Sequence, residues 1–232
     1  MAVRNIYSLT SWAIPGEGVT EPPGGYVLEQ DGTYILLEDD SYLVTEDVNI
    51  WTNGAADNDA DTNGNWSLGH KPTSSETALF GAGDGTTDDC TASAAMAARH
   101  ILFDPSYTGT FDPNGQTITV GGHFVVNAPD VFGTDADHWN GATLDISGAL
   151  CALGDAGTDL NFRGSAEWTL NVDGDSHVRW ADVHNSTASG GDSNVKVFQS
   201  QDLGSNPGWL FRTGVYMRYD RRQQLRPAYV LY

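Results

Sequence analysis

Two cysteines, Cys90 and Cys151, are all that the chain contains. A disulfide framework is therefore excluded as the basis of the fold, and both thiols are expected to be buried. Cations are scarce as well: 11 Lys and Arg stand against 31 Asp and Glu, a formal charge of -20 over 232 residues. That balance argues against nucleic acid as a partner, since such binding needs cationic groups to neutralise phosphates. It argues equally against an anionic membrane surface. No apolar run approaches the roughly 18 residues of a membrane helix. The N-terminal stretch lacks the apolar core of a secretory signal, so none is expected. Helix-surface residues are also few. Of the 31 acids 24 are Asp and only 7 are Glu.

What is abundant favours turns and strands. Gly numbers 27, and Asp, Asn, Ser and Thr compete with the helix for backbone hydrogen bonds. Hydrophobic residues make up 39% and aromatics 10%, enough for a core. The chain reads as all-β with many tight turns. Only the Ala-rich stretch 92–99 invites a helical turn or two.

Four zones follow along the chain. Residues 1–25, with Pro15, Pro22 and Pro23, read as an extended arm. Residues 26–47 repeat with a period of eight, with Tyr26, Tyr34 and Tyr42 opening three apolar runs separated by acidic turns. That pattern predicts a small antiparallel meander. Residues 48–211 carry apolar i, i+2 pairs, the period of a strand. The pairs are Ile101/Phe103, Ile118/Val120, Leu144/Ile146, Leu160/Phe162, Val178/Trp180 and Val195/Val197. One interval between their first members, from Ile118 to Leu144, is longer than the rest. If residues 129–139 are an inserted loop there, a repeat of about 17 residues remains, and the pairs should form aligned core columns. Such a repeat predicts a right-handed parallel β-helix solenoid. A β-sandwich is the alternative.

Residues 212–232 form the last zone. Arg212, Arg218, Arg221, Arg222 and Arg226 against Asp220 give it a charge of +4, and the rest of the chain carries -24. Arg218, Arg221, Arg222 and Arg226 are interleaved with Tyr216, Tyr219 and Tyr229. Arg and Tyr are enriched at interface hot spots, so this tail is expected to dock on another protein subunit. The other reading makes it a last strand capping its own solenoid.

Segment 65–73 (NWSLGHKPT) with Ala78-Leu79-Phe80, the run 98–122 and the run 181–211 resemble the opening, early and closing turns of β-helical surface proteins. Those solenoids are pectin-lyase-like or autotransporter-passenger-like, or belong to structural proteins of tailed bacteriophages. The Tyr/Leu-Glu-Asp repeat of period eight is also similar to segments of phage virion proteins. The resemblance implies a structural virion protein on the external surface of the particle, a head decoration (cement) or fibre-type protein attached through its arms to capsid or tail subunits. It also implies a homotrimer, an expectation in keeping with the open strand edges that a solenoid leaves at its two ends. The alternative is a tail-associated adhesin for a host surface glycan, or a polysaccharide depolymerase.

Candidate chemistry is sparse. Asp59, Asp61 and Asn63, followed by Gly64, match the first half of a calcium loop, where alternating oxygens converge on one cation and the glycine allows a sharp turn. Its twelfth position is His70, not Glu. Calcium is the cofactor this motif leaves open, and a zinc site assembled from histidines distant in sequence is a lesser alternative. The six histidines show no metal-binding spacing. Asp145, Asp159, Asp173 and Asp175 fall on or near successive strands and are the carboxylates that a depolymerase would gather. No nucleophile elbow or phosphate loop accompanies them, and no enzyme activity is expected. Trp168 and Trp180 are expected in the core, and Trp66 and Trp209 as end caps. Trp139, in the expected insertion, is the ring expected at the surface for stacking on a sugar.

Overall fold

A computed structural model describes residues 47–82, 84–128, 130–133, 138–154, 159–189 and 195–212, with the backbone of 35–36 and 42–43. The basic tail residues Tyr216, Arg218, Tyr219, Arg221, Arg222, Arg226 and Tyr229 lie outside the described residues, as do the whole N-terminal arm and most of the tyrosine repeats. Within those repeats, β1 (Ile35–Leu36) pairs antiparallel with β2 (Tyr42–Leu43).

Parallel strands from residue 48 onward stack as a β-solenoid of about five turns, with almost no helix. Three walls surround the core. The first has eight strands: β3 (Val48–Ile50), β4 (Thr77–Phe80), β7 (His100–Phe103), β10 (Phe124–Val126), β12 (Leu150–Leu153), β14 (Ser176–Arg179), β16 (Val195–Phe198) and β18 (Trp209–Arg212). The second is built from β6 (Met96–Ala98), β9 (Thr117–Val120), β11 (Thr143–Ile146) and the second halves of β13 (Leu160–Val172) and β15 (Ala181–Ser189). The third begins with β5 (Cys90–Thr91) and β8 (Phe111–Asp112). Residues 131–133 continue it, since Phe111 N–H donates to the Val131 carbonyl. The first halves of β13 and β15, and then β17 (Gln201–Asp202), complete it. β13 rounds the corner between two walls, and its register slips between Arg163 and Trp168. Every pairing between these strands is parallel, which rules out the sandwich.

The expected repeat needs correction. Ile101 pairs with Phe124, and Phe124 with Leu150, so a full turn of the solenoid is longer than the spacing of the apolar pairs. Ile118 lies on the second wall, above Met96 and below Leu144. Ile101 and Ile118 thus belong to different walls, and the segment between them is a step around the solenoid, not along it. The long interval from Ile118 to Leu144 is one complete turn with no insertion. Leu160 stacks on Ala181, and Val178 on Val197. All six first members of the pairs are buried, as expected of inward positions, but they form several columns on three walls. Turns shorten near the end, first from Val178 to Val197 and then, more sharply, from Val195 to Trp209.

Aromatic rings run the length of the core. Trp51 packs edge-on against Trp66 at 5.3 Å, Trp66 against Phe80 at 5.6 Å, and Phe80 stacks on Phe103 at 4.6 Å. Phe103 leads to Phe132, Phe132 to Trp139 at 5.1 Å, Trp139 to Trp168 at 4.9 Å, and Trp168 to Trp209. Each such pair adds about 0.5–1.5 kcal/mol beyond the area it buries.

Corners are fixed by close backbone approach and by side-chain caps. Gly148 N–H donates to the Gly122 carbonyl at 2.8 Å and Gly174 N–H to Gly148 at 3.0 Å. A β-carbon on Gly148 would lie 2.4 Å from the Gly122 oxygen, so the column admits no side chain there. Beside it the His100 ring stacks on His123 at 5.1 Å. His100 Nδ1 accepts the N–H of His123, and His123 Nδ1 accepts that of Ala149. Those bonds place each ring proton on Nε2. Residues 92–99 form no helix: Met96–Ala98 is a strand, because Ala92 and Ala98 are small enough for tight inward positions.

Candidate functional site

The Asp- and Asn-rich loop closes the N-terminal end of the solenoid. Asn53, Ala56 and Asn58 adopt φ of 48°, 58° and 59°, a left-handed conformation that Asn tolerates well. Asp57 takes hydrogen bonds from Asp59 N–H, the Thr62 hydroxyl and the Asn65 amide. These bonds hold its carboxyl below the usual carboxylate range. Asp59 accepts from Asp61 N–H at 2.9 Å and from the Ser93 hydroxyl at 2.7 Å. Asp61 pairs with the Lys71 ammonium, and Asn63 Oδ1 accepts Lys71 N–H at 3.0 Å. Asp59, Asp61 and Asn63 thus spend these oxygens on Ser93, Lys71 and the loop itself. Among the described residues no group of three or more His, Cys, Asp or Glu side chains is placed to hold a metal ion. Gly64 sits in a short 3₁₀ turn, Asn63–Asn65, and an added β-carbon there makes only ordinary contact. The crowded glycine is Gly54, where a β-carbon would meet the Gly64 oxygen at 2.6 Å.

From this loop the chain returns along the free edge of β3. Thr52 N–H donates to Asn65, and Ser67 N–H to Ile50. The Ser67 hydroxyl accepts Ile50 N–H, and Asn49 bonds the backbone of Leu68 and His70. Trp51 and Trp66 lie beneath, both buried.

Trp139 is fully buried, with 0% exposure, which corrects its assignment as a surface sugar platform. It is in a turn, as its polar neighbours suggest, but its ring fills the core. Trp168 is in the core as expected, and Trp66 and Trp209 lie at the two ends of the aromatic column. Trp180 is not in the core: it is half-buried at a corner with φ of 54°. Cys90 and Cys151 are buried and unbridged. Burial, with Asp59 and Asp89 nearby, raises the Cys90 thiol far above its ordinary range.

Of the four carboxylates expected to gather, Asp145 lies between Thr119 and Asn171 on the second wall, and Asp173 and Asp175 flank the Gly174 corner. Asp159 is different. It precedes β13 on the third wall and feels the charge of Asp182. Here Leu160 and Phe162 point into the core, so Asn161 and Arg163 face outward. Asn161 stands beside Asp182, Asp182 beside Gln201, and Arg163 beside His184. The Asn161 amide donates to the Gly133 carbonyl and ties the wall to the preceding loop.

This outward cluster is charged and incompletely satisfied. Arg163 Nε and Asp182 Oδ1 are shielded from solvent, and neither has a hydrogen-bond partner. Burial raises both carboxyls. The neighbouring Asp182 charge adds to the rise at Asp159, and the Arg163 guanidinium partly offsets it at Asp182. Buried polar atoms without partners are uncommon, and a donor and an acceptor left open together mark this as the candidate site. Sequence reading picks out Asp159 alone. Arg163, Asp182 and His184 are isolated polar positions along two long strands, and only the stacking joins them.

Comparison of the chain with protein-family models, with curated proteins and with solved structures returned no match.

Proposed function

We propose that the chain is a structural protein of a virus particle of the tailed-bacteriophage type, carried on the outer surface as a rigid solenoid. It attaches to capsid or tail subunits through its terminal segments. The phage origin rests on the Tyr/Leu-Glu-Asp repeat and the solenoid-turn segments. The observation that supports attachment through the C-terminal segment is the contrast between the two ends. Loop residues cover the outer edge of β3, whereas the outer edge of β18 has no partner strand among the described residues and the chain runs from it directly into the basic tail. An uncovered strand edge is a ready acceptor for another chain. A homotrimer is the assembly this reading favours.

Quantitative mass spectrometry of purified particles tests the proposal. Many copies per particle place the protein on the head and few place it on the tail. Absence from particles overturns the reading. Deleting residues 213–232 should leave a folded protein that no longer incorporates. Normal incorporation would remove the tail from the attachment role.

A further inference from the structure

We propose that residues 26–46 pack across the outer face of the first wall of their own chain and cover a column of apolar side chains there. The inference is independent of the virion reading and leaves residues 1–25 and the basic tail for attachment.

The first wall is apolar on both faces. Ala78, Ile101, Phe124 and Leu150 point into the core, and the residues that follow them point outward. Register places Ile50 on Leu79, Leu79 on Leu102, Leu102 on Val125 and Val125 on Cys151, so these five form one straight outer column. On the outside of a single wall such a column would face solvent. Yet Leu79 is 3% exposed, Val125 6%, Ile50 7% and Cys151 9%, and none of these four belongs to the core beneath. Outward positions on the second wall are open by contrast: Thr117, Thr119 and Asp145 are exposed. The sequence shows the same difference. β4 (TALF), β10 (FVV) and β12 (LCAL) are near-continuous apolar runs, whereas β9 (TITV) and β11 (TLDI) alternate. Continuous runs mark parallel strands that are covered on both faces.

Among the described strands only β1 and β2 stand outside the three walls. They pair with each other, and a two-stranded hairpin is marginal in water unless its apolar residues find a face to bury. Residues 44–47 are all that separates β2 from β3, and β3 is the end strand of the first wall. That link spans at most about 18 Å when fully extended, and the outer column, four strand spacings long, measures about 19 Å. A tether this short holds the segment beside the wall at an effective concentration of about millimolar or more, which a separate copy does not match in dilute solution. Charge agrees with the assignment. Residues 26–46 carry Glu29, Asp31, Glu38, Asp39, Asp40 and Glu46 and no Lys or Arg, and Arg179 and Lys196 alternate with inward valines on the same wall.

Cys151 supplies the test, because its thiol belongs to the covered column, and Cys90, fully buried in the core, reports on unfolding. The full-length chain is labelled with a maleimide over time and each thiol is followed by peptide mass spectrometry. Both thiols should be protected in the parent, and the protection of Cys151 should not change as the protein is diluted. Leu36→Asp combined with Leu43→Asp, on β1 and β2, should speed labelling of Cys151 about tenfold or more through local opening, while Cys90 stays unlabelled. If the double variant also labels at Cys90, the solenoid itself has opened, and Leu43→Ala is then read by the same criterion. The proposal is overturned if Cys151 of the parent labels as fast as in denaturant, or if it stays protected in a variant whose Cys90 is silent. Protection that is lost on dilution also overturns it, because the cover would then belong to a second copy.

Discussion

The two ends of the solenoid solve the same problem differently. At the N-terminal end a loop of Asp and Asn folds back over the first strand, satisfies its N–H and C=O groups and shields Trp51 and Trp66. At the C-terminal end the described residues cover only part of the last turn. The segment 203–208 runs over β15, with Leu203 N–H donating to Val183 and Ala188 N–H to Pro207. β18 has no such cover among the described residues. The difference teaches that polar residues are not idle loop filler in a solenoid. Where they are given a backbone edge to satisfy, they seal it.

The strongest way to break this contrast is to remove the core that both ends share. Leu160→Asp places an unpaired carboxylate at a fully buried position and should unfold the solenoid, a loss of more than about 5 kcal/mol. A soluble variant with an unchanged circular dichroism spectrum would contradict the assigned core. Next comes the sealed end. Trp66→Ala should cost about 3–5 kcal/mol through the cavity left against Trp51 and Phe80, read as a lowered denaturant midpoint. A smaller effect is expected for Asn65→Ala. The Asn65 amide joins Asp57, Asp59 and Ala55, and its loss should cost about 1–3 kcal/mol.

Acid should separate the two regions by sign. Asp57 is lowered in the fold, so its contribution is present above its unfolded value near 3.8 and is lost as pH falls through its folded value. Asp182 is raised, so stability falls as pH rises from about the ordinary carboxylate range through its folded value. Asp57→Asn should therefore destabilise at neutral pH, with the difference from the parent vanishing in acid. Asp182→Asn should leave stability unchanged or raise it at neutral pH. Melting curves from acid to neutral pH check both, and the same sign for the two variants would refute the assignment. The smallest effect is expected from calcium. With the Asp59, Asp61 and Asn63 oxygens already engaged by Ser93, Lys71 and the loop, neither EDTA nor added calcium should move the melting temperature.

The inward positions were legible because i, i+2 apolar pairs mark the inner face of any strand. What the pairs cannot tell is whether the next pair lies around the turn or above it. Ile101 to Ile118 is a step around the turn, and Ile118 to Leu144 a step along the axis. A clearer signal lay in the glycines. Ile118-x-Val120-x-Gly122, Leu144-x-Ile146-x-Gly148 and Leu170-x-Val172-x-Gly174 recur at one constant spacing, and the Gly column is the corner where those turns touch. Trp139 was misplaced because its neighbours are polar and its backbone is a turn. Local polarity describes the chain's path, whereas the ring's burial depends on the walls around it. The third-wall cluster was out of reach for the same reason, since its members meet only through the register of β13 and β15.

The shortening of the turns has a consequence for how copies of the chain can meet. The turn from Phe124 to Leu150 uses far more chain than the one from Val195 to Trp209, so successive turns of the body are unequal. A prism of constant section could extend indefinitely by placing the tail of one copy on the head of the next. Unequal turns do not repeat in this way, because the short last turn is not a copy of the long, loop-covered first one. Head-to-tail contacts that fail to close produce fibres, and this mismatch disfavours them by shape alone. Among the described residues the outer edge of β18 has no partner strand, and it faces along the solenoid axis, so a strand that paired with it would extend the stack at its end and not at its side.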